Sequence, residues 1–265
     1  MSPLFSIITV TYNASETIGR TLASVTSQTF DDYEHLIIDG ASKDDTVRIA
    51  TLNGSPQRTK IVSRPDRGLY DAMNRGMDMA SGQYLLFLNS GDTLHSPDTL
   101  KHIARAIEEN NTPGIVYGQT DIVNGNGIKV ADRHLIAPET LTYESFAEGM
   151  VVCHQAFVVL ARIASPYNLN YRFSADYEWC IRCLQHSRKN VYVNEPIADY
   201  LMDGLTTSNR KKSLLERFRI MSKYYGAVPT ILRHLRFAHR HIKRMRLEKS
   251  ITSAETNKTN NITTI

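Results

Sequence analysis

Short apolar runs that end in small polar residues recur along the first half of the chain. Between them lie stretches whose apolar residues repeat every three to four positions. The short runs read as strands and the intervening stretches as amphipathic helices. "FSIITVTYN", "HLIIDG", "KIVSRPD", "QYLLFLN" and "GIVYGQTDIV" are the strands. "SETIGRTLASVTSQ", with Ser15 as candidate N-cap, "DDTVRIATLN", capped by Asp44 or Ser42, "GLYDAMNRGMDMAS", closed by Gly82, and "SPDTLKHIARAIEEN" are the helices. Alternation with short connections predicts an α/β fold, with a mostly parallel sheet flanked by helices on both faces. Ligands of such sheets bind beyond the carboxyl ends of the strands. Three runs end there in polar clusters: Thr11-Tyr12-Asn13, Asp39-Gly40-Ala41-Ser42 and Asn89-Ser90-Gly91-Asp92. One such cluster reads as a turn. Three on a common edge, with carboxylates and amides, read as a site.

The second half is less regular. "NGNGIK" predicts a hairpin turn. "MVVCHQAFVVLA" is an apolar run interrupted by His154 and Gln155, and "ADYEWCIRCLQH" is an amphipathic helix. "NVYVNEPIADYLM" reads as two short strands or a strand and its return. Specificity in such folds falls in these irregular parts.

The composition, 42% hydrophobic and 22% charged, is that of a globular body with a sizeable core. Three cysteines, Cys153, Cys180 and Cys183, form no even framework for a disulfide-stapled protein. Cys180 and Cys183 make a CxxC inside a predicted helix, without a second ligand pair spaced for zinc. No stretch reaches the ~20 apolar residues of a membrane span. "MSPLFSIITVTYN" lacks the basic start of a signal peptide, so a cytoplasmic or peripheral protein is expected.

The net charge of +4 conceals an asymmetry. Residues 210–249 hold thirteen Lys and Arg against Glu216 and Glu248, a balance of +11, which leaves the first 209 residues at −7. Within that basic segment Leu214, Leu215, Phe218 and Met221, then Ile231, Leu232, Leu235 and Ala238, recur at helical spacing. Apolar stripes flanked by cations suit a helix lying in an anionic membrane surface; a pair of surface helices with a solvated basic face is the alternative. No base-stacking or groove-reading motif points to nucleic acid. The chain therefore divides into a body, 1–209, a basic amphipathic extension, 210–249, and a polar tail, 250–265, expected to be disordered.

"FSIITVTYN", "LIIDGASKDDT", "SRPDRGLYDAMNRGMDMASGQYLLFLNSGD", "CHQAF" and "FSADYEW" stand in an order and spacing that resembles the family 2 glycosyltransferases, inverting enzymes of the GT-A fold. The likeness covers roughly residues 4–202, and the long middle piece resembles the bacterial branch that builds surface polysaccharides. The resemblance implies that Thr11, Tyr12 and Asn13 frame a nucleotide and that Asp39 hydrogen-bonds its base, commonly uracil. It implies nucleotide contact for Asp66, a metal contact for Asp92 as the last acid of a DxD-like motif, and a catalytic base in Asp176. His154 and Gln155 would lie near the acceptor or the donor sugar. The chain departs from the pattern at Gly40, Asn89 and Gly91, where acids are frequent; the first leaves base selectivity open, and the other two leave Asp92 to carry most of the metal contact.

The chemistry agrees with those assignments. A departing nucleotide diphosphate needs its charge neutralised, and Mn²⁺ or Mg²⁺ takes oxygen ligands, often completing its shell with substrate phosphates. Small residues at Asn89, Ser90 and Gly91 allow the backbone to approach those phosphates. Inversion needs a base on the face opposite the leaving group. Taken alone, Asp39 also suits an Asx-type turn, Asp92 a helix cap, and Asp176 a partner of a helix N-terminus. Asp66 and Arg67 could pair with each other, and His154 could be an ordinary core histidine. The expected partners are a nucleotide-sugar donor and a glycan or polyprenyl-diphosphate-linked acceptor. A sugar-nucleotide synthase would show a Gly-rich basic loop after the first strand, and a Rossmann dehydrogenase would show GxGxxG there. "TYNASETIG" has neither. A degenerate, non-catalytic sugar-nucleotide-binding or scaffold protein is the alternative that the three departures keep open.

Overall fold

A computed structural model of the chain describes residues 2–202 and 210–237. Its centre is a nine-stranded mixed sheet. Strands β1 (Phe5–Thr11), β2 (Tyr33–Asp39), β3 (Thr59–Ser63) and β4 (Tyr84–Phe87) alternate with helices α1 (Ile18–Thr26), α2 (Thr46–Asn53) and α3 (Leu69–Met79). Then come β5 (Thr93–Leu94), α4 (Thr99–Glu109), β6 (Ile115–Val123), β7 (Lys129–Asp132), β8 (Phe157–Leu160), α5 (Ala175–His186), β9 (Asn190–Leu201) and α6 (Arg210–Tyr225). The spatial order is β3-β2-β1-β4-β8-β6-β9-β5, with β7 paired to β6. The first four strands are parallel to their neighbours. β8 then enters antiparallel between β4 and β6.

In the parallel half, β1, β2 and β4 are buried on both faces, as βαβ connections require, and β3 forms the partly exposed edge. Every residue of β1 and β2 is buried. Polar members of those strands therefore need partners: Ser6 Oγ donates to Glu34 at 2.8 Å, and Thr9 Oγ1 lies 2.9 Å from His35 Nε2. Burial holds the His35 imidazole down to about 4, so the ring is neutral. On the neighbouring layer, Ile18 and Leu22, one turn apart on α1, pack with Ile37 and Ala50.

An aromatic cluster fixes α5 over the end of β4. The Trp179 ring stacks on Tyr167 with centroids 4.9 Å apart and meets Phe87 edge-on at 5.4 Å. Its indole N–H donates to the Ser165 carbonyl at 2.8 Å. The first turn of α5, which carries Asp176, is thereby held at the carboxyl edge of the sheet.

Some local expectations change. Ser15 does not cap α1, which begins at Ile18 after Thr17; the Ser15 N–H instead donates to Asp44 at 3.0 Å. Asp44 does receive the Thr46 N–H at the start of α2, although the N-cap position is Asp45. α3 ends at Met79, and Gly82 serves packing: a Cβ there would meet the Ser6 nitrogen at 2.5 Å. "NVYVNEPIADYL" is one twelve-residue strand, whose register slips against β6 around Gln119, so the apolar alternation breaks without the strand ending. Cys180 and Cys183 are both buried in α5, where burial pushes their thiols up and keeps them protonated.

The chain forms two compact units, Met1–Arg217 and Phe218–Ile265. The first turns of α6 belong to the first unit. Glu216 accepts the backbone N–H groups of Arg172 and Phe173 at 2.9 and 2.8 Å, and Ser213 Oγ lies 3.0 Å from Ser174 Oγ. In the second unit, residues 227–237 are helical after Gly226, whose φ of +87° suits a residue without Cβ. The His234 ring packs edge-on against Phe218 at 5.1 Å. Ala238, the rest of the basic segment and the polar tail lie outside the described residues. No helix among the described residues is long and apolar enough to cross a membrane.

Close packing at Gly82 yields a stability test. Gly82→Ala forces a methyl into the β1 backbone and is expected to cost about 1–3 kcal/mol in urea unfolding. Gly125→Ala, which meets nothing within 4 Å, should cost far less. Equal effects would show that the approach at Gly82 is not tight.

Candidate active site

The carboxyl ends of β1 and β2 and the loop after β3 form one group. Asn13 and Ala41 both adopt left-handed backbone, with φ of 48° and 63°, which non-glycine residues hold only when their surroundings impose it. Here the surroundings are the two loops themselves. The Asn13 N–H donates to Ser42 Oγ at 2.8 Å, and Asn13 Oδ1 accepts from the Lys43 N–H at 2.9 Å. Asp39 is buried and accepts from the Ser42 N–H at 2.9 Å, from Ser63 Oγ at 2.6 Å and from Ser42 Oγ. The turn role weighed for Asp39 is therefore real, and of the roughly four acceptor positions on a carboxylate one remains for a ligand.

Gly40 gains a physical reason. A Cβ at this position would lie 2.7 Å from Asp66 Oδ2 and 3.2 Å from the Tyr12 ring. The Asp66 carboxylate thus occupies the space beside Asp39 that a second acid at position 40 would use. Asp66 also receives the Gly68 N–H at 2.8 Å, and Tyr12 is 60% exposed, leaving a ring face free above the loop. Arg67 does not pair with Asp66; its guanidinium lies 2.9 Å from Asp71, one turn along α3.

The second group gathers around the end of β4. Asp92 does not cap α4, which begins at Thr99 after Asp98; β5 intervenes. Its carboxylate is buried and accepts from Gln155 Nε2 at 2.7 Å and from the Leu201 N–H at 3.0 Å. Burial pushes its pKa up to about 6, against the lowering effect of those two bonds. Gly91, with φ of +100°, makes the turn that aims Asp92 inward, and its N–H donates to Thr21 Oγ1 at 2.9 Å.

From Asn89 the contacts run on to Asp176. Asn89 Nδ2 lies 3.3 Å from His154 Nε2, His154 Nδ1 lies 3.5 Å from Asp176 Oδ2, and Tyr70 donates its phenolic O–H to Asp176 Oδ1 at 3.0 Å. Burial would raise the Asp176 pKa, but the His154 bond and charge and the charge of Arg217 hold it below the usual carboxylate range. Burial and the Asp176 charge push the Tyr70 phenol well up, so it remains a donor. His154 is thus more than a core histidine: it bridges the β4 end to α5.

Residues 89–92, 154–155 and 176, far apart in the chain, therefore meet in one place. Sequence reasoning missed Tyr70, Ser63 and Arg217, and named Ser42 only as a member of the second cluster. A tyrosine in the first turn of a helix beside a polar edge was the signal available for Tyr70; Ser63 and Arg217 had none. Three buried oxygens among the expected ligand-facing residues have no hydrogen-bond partner: Thr11 Oγ1, Asn89 Oδ1 and Ser90 Oγ. Buried polar atoms are seldom left so, and a bound ligand or ion is a standard reason. Asp92, with two acceptor positions still open, and Asn89 Oδ1, three residues earlier and without a hydrogen-bond partner, offer the hard oxygen donors that Mn²⁺ or Mg²⁺ favours, so the residues fit such an ion. Elsewhere, His95, Asp121 and Asp199 bring ligand atoms within 4.8 Å of one another and could hold a metal. The Lys129 ammonium, 2.9 Å from Asp121, already supplies positive charge there.

These features are those of a polar site built on a parallel sheet edge. Residues 6–165 match the family model described as glycosyl transferase family 2, and the chain belongs to that family. It is a glycosyltransferase. It is 34% identical over 233 residues to a PGL/p-HBAD biosynthesis glycosyltransferase of Mycobacterium tuberculosis, covering 84% of this chain and 86% of that one. It is 29% identical over 175 residues to the Escherichia coli UDP-Glc:alpha-D-GlcNAc-diphosphoundecaprenol beta-1,3-glucosyltransferase WfgD, covering 66% and 67%. Its fold is that of S. aureus TarS 1-349, with a TM-score of 0.69 at 18% identity over 91% of this chain and 73% of that one. It is also that of the mannosyltransferase PcManGT from Pyrobaculum calidifontis, solved with GDP-Man and Mn²⁺, with a TM-score of 0.61 at 13% identity over 90% and 76%. Both place the chain in the GT-A fold.

The Asp92 environment makes a signed prediction. A carboxyl whose folded pKa is raised stabilises the fold through its bound proton below about pH 4, and loses that contribution as pH rises through about 6. Asp92→Asn, freed of this titration, should therefore gain stability relative to wild type between pH 5 and pH 7, by roughly 1 kcal/mol. Urea unfolding in the presence of a chelator measures it. A difference that does not change with pH would mean that Asp92 titrates as an ordinary carboxylate.

Proposed function

We propose that the protein is an inverting, metal-dependent glycosyltransferase that takes a sugar from a nucleotide-diphosphate donor, UDP-linked, and adds it to a glycan or lipid-linked acceptor in bacterial surface-polysaccharide synthesis. The observation that carries this reading is the pairing of two unlike carboxylates across one network. Asp176, bonded by Tyr70, is held ionised by His154 and the charge of Arg217, while Asp92, in the same loop as the unpartnered Asn89 and Ser90 oxygens, is disfavoured as a bare anion by its burial. A donor complex would satisfy the second environment.

In this reading Thr11, Tyr12, Asn13, Asp39 and Asp66 hold the nucleoside, and Asn89, Ser90 and Gly91 face its diphosphate. Asp92, with Asn89, would hold Mn²⁺ or Mg²⁺, which supplies positive charge against the leaving diphosphate. Asp176 accepts the proton of the acceptor hydroxyl as the new C1–O bond forms and the bond to the diphosphate breaks, which inverts the anomeric centre. Tyr70 and His154 orient the carboxylate. His154 and Gln155 line the acceptor or sugar side, Gln155 through its bond to Asp92. The UDP preference and the lipid-linked acceptor draw on two similar proteins: S. aureus TarS has been solved with UDP-GlcNAc, and the name of WfgD specifies both a UDP-sugar and a diphosphoundecaprenol acceptor.

Calorimetry with UDP and GDP, with and without Mn²⁺, tests the donor half. Metal-dependent UDP binding lost in Asp92→Ala is expected; binding of GDP alone would overturn the donor class. Asp176→Asn should reduce turnover by at least ~10²-fold while leaving UDP affinity within about twofold. Retained turnover in that variant would remove Asp176 as the base.

The same reading takes residues 1–209 as the transferase domain, 210–249 as a membrane-facing basic extension and 250–265 as a tail, on the inner face of the cytoplasmic membrane. Support comes from the second unit, where Val228, Ile231, Leu232 and Leu235 share a helical spacing and are all exposed, beside Arg233 and Arg236. On α6 the pattern is weaker: Leu214 and Leu215 are exposed, but Met221 is buried. Full-length protein should sediment with phosphatidylglycerol vesicles and lose that behaviour after deletion of residues 210–265. Sedimentation unaffected by the deletion would assign any attachment elsewhere.

A further inference from the structure

A cavity of about 320 Å³ lies in the first unit, lined by Ile122, Arg133, His134, Leu135, Met150 and Arg217. Its walls come from β6, the segment after β7, the loop that leads to His154, and α6. None comes from the strand ends that carry Thr11, Tyr12, Asn13, Asp39 or Asp66. It therefore belongs to the half of the site that holds His154 and Asp176.

The cavity's charge is unbalanced. Arg133 spends its guanidinium on the carbonyls of Met150, at 2.9 Å, and Val151, at 3.5 Å, and makes no ion pair among the described residues. Arg217 makes no hydrogen bond among the described residues, and its Nε is buried without a partner. A buried guanidinium nitrogen left unpaired loses its hydration with nothing in return, and a planar set of N–H donors matches phosphate oxygens closely. Asp176 feels the Arg217 charge but does not bond to it. Ile122, Leu135 and Met150 give the remaining wall an apolar character.

We propose that Arg133 and Arg217, with His134, bind a phosphoryl group carried by the acceptor, holding it in this cavity beside Asp176. This rests on the transferase reading above and names the chemistry of the acceptor: a sugar or polyol bearing phosphate near the hydroxyl that is glycosylated. Two sources share that chemistry. One is a sugar on a lipid phosphate or diphosphate; the other is a phosphate within a soluble glycan chain. The apolar wall favours the first.

The test uses full-length protein saturated with UDP and Mg²⁺, so that the nucleotide region is filled, and titrates in inorganic phosphate or n-octyl phosphate. Binding of the second anion is expected, and it should weaken about tenfold in Arg217→Gln and in Arg133→Gln, while UDP affinity is unchanged. Arg217 has no hydrogen bond to lose among the described residues, so its variant should remain folded even if the Arg133 variant shifts the loop at Met150. Tighter binding of n-octyl phosphate than of phosphate supports a lipid-borne group; equal binding supports a glycan-borne one. Absence of anion binding to the UDP-loaded protein, or equal binding in wild type and Arg217→Gln, overturns the proposal. If UDP itself does not bind, the UDP-donor reading fails separately, and phosphate titrated into free wild type and Arg217→Gln still decides the cavity.

Discussion

The Asp92 residue ties the site to the sheet. Its two carboxylate oxygens hold the Gln155 amide and the backbone N–H of Leu201, and its carbonyl accepts from Thr21 Oγ1 at 2.8 Å. One residue after β4 thus fastens α1, the turn before β8 and the end of β9. These pieces come from distant parts of the chain, and β8 and β9 enter the sheet with opposite senses relative to β4 and β6. The single carboxylate is a common acceptor on which the parallel and antiparallel halves converge, and a buried carboxylate demands such partners because its desolvation is otherwise uncompensated.

The arrangement leaves an electrostatic contrast that suits group transfer. Asp92 is bonded yet still pushed up to about 6, while Asp176, only partly exposed, is held down by the bond and charge of His154 and by the charge of Arg217. Environments that drive two carboxyls apart are a recurrent way for one fold to separate two roles. The unpartnered oxygens of Thr11, Asn89 and Ser90 and the unpartnered Arg217 nitrogen are costs that a rigid interior would normally remove. These four lie where substrate groups are expected to bind; Thr59 Oγ1, Thr120 Oγ1 and the Tyr167 hydroxyl also lack hydrogen-bond partners elsewhere among the described residues.

Much of the parallel half was legible because its rules are local. Strands β1, β2 and β4 are apolar runs bounded by turn residues, and α5 spans the run "ADYEWCIRCLQH" as its periodicity implied. Failures came where a local signal had a non-local cause. Gly82 looked like a helix stop and is a contact with β1. The β9 strand looked broken because its register slips against β6. Ser15 looked like a cap, but the Asp44 carboxylate from the next loop takes its N–H.

The sequence by itself determined the family, the order of strands and helices in the first half, and which carboxylates to watch, because hydrophobic period and short motifs are written in neighbouring residues. Only the tertiary structure decided what those carboxylates touch. That Gly40 makes room for Asp66, that Tyr70 and His154 grip Asp176, and that Arg133 and Arg217 share a cavity all depend on contacts between residues tens of positions apart. Such contacts follow from how strands order themselves in a sheet, and no local pattern in the chain encodes that order.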